Sequence, residues 1–263
     1  MTSSDETEQQ RAKRHRQRTL FDGVAALYDS ARPLYPDELV EFVASTAGLG
    51  PNSLVLEVGC GTGQLTESLV GLGFDLTAID IGPSMIATAR RRLADADVAL
   101  LAASFESFTA ADASFELIVS GTAFHWVDPE AKWTKSVRLL RPGGWLALLS
   151  TREHYDDPLG AELQDMWIAR SDDGGAFATS AEPTNAELIA DTGRFAPAIQ
   201  RTHSRRLVLP ADAVVAVENS RATSLSWPAA DRRQFTEELR RHLGSRVEVA
   251  LTQRTTLTMA RVG

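Results

Sequence analysis

This chain is short of several things, and each shortage closes off a class of protein. It has one cysteine, Cys60, so no disulfide framework is possible within it, and a reducing, cytoplasmic setting is the default expectation. No apolar run approaches the roughly 18 residues of a membrane span, and the N-terminal stretch has no apolar signal core; no membrane partner is expected. Lys and Arg (27) are outnumbered by Asp and Glu (35), for a formal net charge of −8. A phosphate backbone needs a basic surface, so no nucleic-acid partner is expected. No His/Cys/Asp/Glu set has metal-ligand spacing, and Asp156-Asp157 and Asp172-Asp173 fall in loop-like sequence, so no metal is expected. There is no internal repeat. What remains is ordinary for a folded domain: 263 residues, 43% hydrophobic and 24% charged, enough for one sizeable α/β core.

Residues 1–20 are a polar tail or helix, acidic and then basic. Beyond them, near-continuous apolar runs at 53–58, 74–80, 98–103, 115–120 and 144–150 read as parallel strands covered on both faces. Helical patterns at 36–48, 63–72, 83–95 and 128–140 punctuate them, and Arg141-Pro142-Gly143-Gly144 is expected to stop the last and turn the chain into a strand. This alternation predicts a doubly wound, Rossmann-like α/β sheet with helices on both faces. From 151 to about 200 the pattern loosens and reads as a small cap insertion with helical pieces at 159–170 and 185–191. A strand at 202–209, helices at 211–226 and 228–243, and a final strand at 247–260 follow.

The chemistry concentrates in Leu54-Val55-Leu56-Glu57-Val58-Gly59-Cys60-Gly61-Thr62-Gly63. Glycines there let the backbone turn tightly and approach a ligand. Asp80 closes the next apolar run seventeen residues past Gly63, near the roughly 20-residue offset of a carboxylate that accepts from ribose hydroxyls. The spacing is G-x-G-x-G, with Thr66 where a dinucleotide fingerprint has its last glycine. Glu57 adds an anion that would repel a pyrophosphate but attract an ammonium or sulfonium. A nucleoside bearing positive charge describes S-adenosylmethionine.

Five segments resemble the class I S-adenosylmethionine-dependent methyltransferases of the small-molecule, methyltransferase type 11-like family: YDSARPLYP (28–36), LEVGCGTGQLT (56–66), AIDIGPSMIATAR (78–90), FELIVSGTAFHWVDP (115–129) and LLRPGGWLAL (139–148). The resemblance implies one methyltransferase domain over 21–263, a seven-stranded mostly parallel sheet with an antiparallel last strand, S-adenosylmethionine as cofactor, and a small-molecule methyl acceptor at O, N, C or S. The missing Asn/Asp-Pro-Pro-aromatic sequence after the fourth strand argues against adenine or glutamine amino groups as acceptors.

Candidate cofactor contacts are Glu57, Gly59, Cys60, Gly61, Gly63 and Asp80. Ile81 and Met85 flank an adenine, Ser104, Phe105 and Glu106 reach its edge, and Ser120 and Gly121 line the methionine path. Tyr28 and Arg32 are expected over the cofactor, with Arg32 suited to a carboxylate. Methyl transfer is an in-line displacement from an activated donor, so a base is optional. His125 is the candidate base and a further cofactor contact, because its pKa lies near working pH. Tyr155, beside His154, is a second catalytic candidate. Trp126, Tyr155 and Trp167 are candidates for an aromatic acceptor pocket, and Arg32 or Arg221 for holding an acceptor carboxylate. Two other readings are an NAD(P)-dependent oxidoreductase, disfavoured by the glycine spacing and Glu57, and a non-catalytic protein that binds S-adenosylmethionine or S-adenosylhomocysteine as a regulator. The oligomeric state is left open.

Overall fold

The computed structural model describes residues 21–24, 29, 34–156, 158–170 and 183–263. The expected tail, Tyr28 and Arg32 lie outside the described residues. After a 3-10 turn at Phe21–Val24 come α1 (Asp37–Ala47), β1 (Leu54–Val58), α2 (Gln64–Val70), β2 (Asp75–Asp80), α3 (Pro83–Arg92), β3 (Ala99–Ala102) and β4 (Phe115–Gly121). A second 3-10 turn, Phe124–Trp126, leads to α4 (Pro129–Leu139) and β5 (Leu140–Tyr155). The remainder is α5 (Leu159–Ile168), α6 (Asn185–Asp191), β6 (Ile199–Pro210), α7 (Ala211–Asn219), α8 (Ala222–Ser226), α9 (Ala229–Leu243) and β7 (Glu248–Arg261).

The strands form one seven-stranded sheet in the order β3-β2-β1-β4-β5-β7-β6. Strands β1 to β5 are parallel, and β7 runs antiparallel to both β5 and β6. The chain winds outward from β1 through β2 to β3, then restarts at β4 on the other side. That reversal opens a crevice at the carboxyl ends of β1 and β4, where doubly wound sheets take ligands.

Alternate residues of each central strand serve opposite faces. Val55, Leu117, Val119, Ala147 and Leu149 pack under α1 and α2, while Leu56, Val58, Ile118, Leu146 and Leu148 pack with Phe124 and Leu139 on the other side. Capping explains two helix starts. Asp128 accepts from the N–H groups of Glu130 and Ala131, with Pro129 in the first turn of α4. Gly82 precedes α3 and has no side chain to offer, so Asp22 supplies the cap from far upstream, accepting from Ser84 N at 2.6 Å and Met85 N at 3.3 Å. Asp29 accepts from Arg92 of α3 at 2.7 Å. These two contacts moor the N-terminal segment beside the crevice.

Two expectations are corrected. Arg141 to Gly144 does not separate α4 from a strand; it is absorbed into β5 as an irregularity. Pairing jumps there from Phe115↔Leu140 to Leu117↔Trp145, and Gly143 takes the positive φ of 75°. Nor does the strand stop at 150. Gly121 of β4 pairs with Leu149, but β5 continues through Ser150–Tyr155, paired to β7 as far as Tyr155↔Leu251. Strands β5, β6 and β7 therefore outrun the sheet by about 20 Å. The overhang has its own core: Tyr155, Leu159, Leu163, Val214, Phe235, Leu239 and Leu251 pack together, with Trp167 and Trp227 against them.

Candidate functional site

Everything in the crevice begins with the turn after β1. Gly59, Gly61 and Gly63 all have positive φ, at 73°, 57° and 95°, a region costly for residues with a Cβ. At Gly59 space forbids one as well, since a Cβ would stand 2.3 Å from that of Ala123. The turn is tied to the next strand by Gly59 N and Cys60 N, which donate to Ile79 O at 2.8 and 3.0 Å. Asp80 completes the tie: its two oxygens accept from Gly61 N at 3.0 Å and Gly82 N at 2.8 Å. A carboxylate has about four acceptor positions, so two backbone bonds leave Asp80 able to receive two more hydroxyls. Burial raises its pKa, opposed by those two N–H groups.

Two adjoining hollows share Gly59, Gly61, Gly121 and Thr122 in their walls. The larger, about 710 Å³, is bounded by Asp80, Ile81, Met85, Ala103, Ser104, Phe105 and Trp126. Its apolar sides and single carboxylate suit a planar base joined to a diol. The smaller, about 520 Å³, is polar and includes Tyr35, Glu57, Gln64, Thr151, Glu153 and Gln253. Gly121 makes room for Tyr35, whose hydroxyl would lie 2.5 Å from a Cβ there and donates to Thr122 Oγ1 at 3.1 Å.

Glu57 is 1% exposed, and its Oε2 has no hydrogen-bond partner among the described residues. Desolvation pushes its pKa up to about 8, with the Thr66 hydroxyl drawing it down and Asp80 adding to the rise. Gln64 Nε2, also buried in this wall, has no partner either. A buried acceptor and donor left unpaired on one cavity are costly in isolation; a ligand with an ammonium and a carboxylate satisfies both. Cys60 lines the same hollow, and burial together with Glu57 and Asp80 keeps its thiol protonated.

Residues 56–148 match the family model of a methyltransferase domain, which spans the strand, the glycine turn, Asp80 and the β4 end just described. Over these residues the chain is similar to methyltransferase domains. An uncharacterized methyltransferase of Mycobacterium tuberculosis is 37% identical over 134 residues, covering 51% of this chain and 53% of that protein. A malonyl-[acyl-carrier protein] O-methyltransferase of Paenibacillus sp. is 37% identical over 110 residues, 39% of this chain and 40% of that one. The chain spans about half the length of the curated relatives it matches. A solved structure described as a type II methyltransferase, from Anaeromyxobacter dehalogenans, shares its fold with a TM-score of 0.63 at 21% identity, covering 88% of this chain and 97% of that one.

Several expected site residues are placed away from both hollows. His125 is the middle residue of a 3-10 turn. At about three residues per turn, Phe124 enters the core and Trp126 faces the larger hollow, so His125 is left exposed, its ring 4.6 Å from that of Trp126. His125 lines neither hollow. Strand alternation separates Thr151, Glu153 and Tyr155 from Arg152 and His154. Thr151 and Glu153 reach the smaller hollow, whereas Tyr155 lies further along in the overhang, donating to Glu218 Oε1 at 2.8 Å. Burial and Glu218 raise the Tyr155 pKa, so its proton is committed.

Glu106 instead accepts from Asp128 N at 2.9 Å at the start of α4. Ser120 is buried and donates to Val58 O at 2.6 Å, locking β4 to β1. Gly63 starts α2, its missing side chain making room for Leu93. The aromatic trio does not assemble: Trp167 packs on Trp227 and Phe235 at 4.8 and 5.4 Å, with Trp126 on the larger hollow. Arg221 is occupied by Glu218 and Glu153. Gln64, Tyr35, Thr151, Glu153 and Gln253 were not singled out by sequence. Only Gln64, next to the last glycine of the turn, carried a readable signal.

Proposed function

We propose that the protein transfers the methyl group of S-adenosylmethionine to a small-molecule acceptor by in-line displacement. The observation that carries this reading is that Glu57 Oε2 and Gln64 Nε2, buried on one hollow, have no partner among the described residues, in the same crevice as a backbone-braced Asp80. In it, Asp80 receives the ribose hydroxyls, and Ile81, Met85, Phe105 and Trp126 enclose the adenine. Glu57 and Gln64 receive the ammonium and carboxylate of the methionine part. The bound cofactor supplies an electrophilic methyl on a positively charged sulfur. The chain's part is to hold the acceptor in line within about 3–3.5 Å of that carbon and to exclude water. No imidazole or phenol base is needed from the described residues of the smaller hollow.

Calorimetric titration with S-adenosylhomocysteine tests the reading. One-site binding by the wild-type protein that weakens about 100-fold or more in Asp80→Ala is expected, since two hydrogen bonds to a charged acceptor are worth about 3 kcal/mol together. A folded wild-type protein that does not bind would sink it.

A further inference from the structure

Opposite the glycine turn, the wall of the smaller hollow is made by β5 and β7, and it carries a buried amide that the cofactor does not require. Register sets Gln253 of β7 between Glu153 of β5 and Arg205 of β6. Gln253 is 2% exposed and lines the hollow. Its Oε1 accepts from Arg205 Nε at 2.8 Å, and Arg205 is held in turn by donating from Nη2 to Leu34 O. A guanidinium only donates, so this bond decides which way round the amide stands. The oxygen is turned to β6, and the two Nε2–H groups are left for the hollow. Among the described residues neither has an acceptor. Buried N–H groups without acceptors are costly unless a ligand supplies one.

Thr122 adds a second donor where the two hollows meet. Its φ of 52° is one that β-branched residues rarely adopt, and strain of this kind persists where the surroundings enforce it. Here they do: Thr122 Oγ1 accepts from Tyr35 Oη at 3.1 Å and from Thr151 N at 3.2 Å. A hydroxyl has two acceptor positions and one proton. With both acceptor positions taken, the proton is what Thr122 has left to give, and no acceptor for it lies among the described residues. Glu153, ion-paired to Arg221 at 3.2 Å, hydrogen-bonds neither Thr122 nor Gln253.

Resting on the methyltransferase reading above, we propose that Gln253 is a specificity residue of the acceptor site, whose N–H groups, with the Thr122 hydroxyl, bind a carbonyl or carboxylate oxygen of the methyl acceptor. Arg205 is the positioning residue that keeps the amide nitrogen on the cavity side. An oxygen of either kind has lone pairs for both donors. An alkylammonium has none and leaves both donors buried without partners, which costs more than an unmade surface bond.

The test uses the full chain loaded with S-adenosylhomocysteine, titrated at neutral pH by ligand-observed NMR with butanone, butyrate and butylamine, short probes that differ in head group. At least one oxygen probe is expected to bind tenfold or more tightly than butylamine; butanone alone would identify a neutral carbonyl, and butyrate alone a carboxylate. Gln253→Leu is expected to weaken that probe at least tenfold, with S-adenosylhomocysteine affinity within twofold of wild type. Gln253→Glu keeps an oxygen for Arg205 but replaces the N–H groups by an acceptor, and is expected to turn the preference toward butylamine. Arg205→Met, which lets the amide rotate, should shrink the preference, a change that a merely structural arginine would not produce. Butylamine binding as tightly as both oxygen probes, no probe binding, or a preference unmoved by Gln253→Leu and Gln253→Glu would each overturn the proposal. The wild-type comparison decides even if the variants do not fold. Failure of the wild-type protein to bind S-adenosylhomocysteine would instead defeat the cofactor reading on which this rests.

Discussion

In the parallel half of the sheet, the residues that reach the crevice come from short turns directly after strands: Gly59 and Gly61 after β1, Ile81 after β2, Ser104 and Phe105 after β3. In the antiparallel overhang they come from within long strands, Thr151 and Glu153 on β5 and Gln253 on β7, held by a helical core that touches neither the glycine turn nor Asp80. The first half uses backbone geometry, with side chains trimmed to glycine so that N–H groups can brace one carboxylate. The second uses buried side-chain charge, where Glu218 and Arg221 fix the position of Glu153. Under the proposed function, the first region serves the cofactor and the second the acceptor.

That division can be broken first at Glu57. Its carboxyl has a pKa of about 8 in the folded protein against the ordinary glutamate value of 4.5, so the folded state holds a proton that the unfolded chain releases between those pH values. Stability therefore falls as pH rises across that window and levels off above it. Glu57→Gln removes the cost and is expected to raise the unfolding free energy at pH 8 by on the order of 4 kcal/mol, with a much smaller gain at pH 5. Urea denaturation of both proteins at the two pH values checks this, and S-adenosylhomocysteine affinity should drop in the same variant.

In the overhang the sign reverses. Glu218→Ala strands Arg221, Tyr155 and Trp167 without their common acceptor and is expected to destabilise by about 3 kcal/mol. Below its melting transition the variant should still bind S-adenosylhomocysteine like the wild type. A large loss of cofactor affinity would show that the two regions are not separable. The smallest effect is expected at His125. Being exposed and outside both hollows, His125→Ala should change turnover by less than about twofold at pH 7, within the range of ordinary surface substitutions; a loss of a hundredfold would restore it as a base.

Local sequence carried the parallel half because its rules are local. A buried parallel strand needs a continuous apolar run, a helix start needs a capping residue or proline, and a backbone in the left-handed region needs glycine. So β1 to β4, the turn at 59–63 and Asp80 were legible from spacing, with element ends within a few residues. His125 was misjudged because a 3-10 turn rotates neighbouring residues by about 120°, and no residue type in Phe124-His125-Trp126 says which one turns inward. Glu153 and Gln253 lie a hundred residues apart and meet only through the β5–β7 register. Asp22 caps α3 from 62 residues upstream. Sequence by itself determined the sheet class and the glycine cradle, since each follows from what neighbouring residues permit. The tertiary structure alone decided which carboxylates share a cavity and which charges cancel, because pairing energies depend on distances that register and packing set.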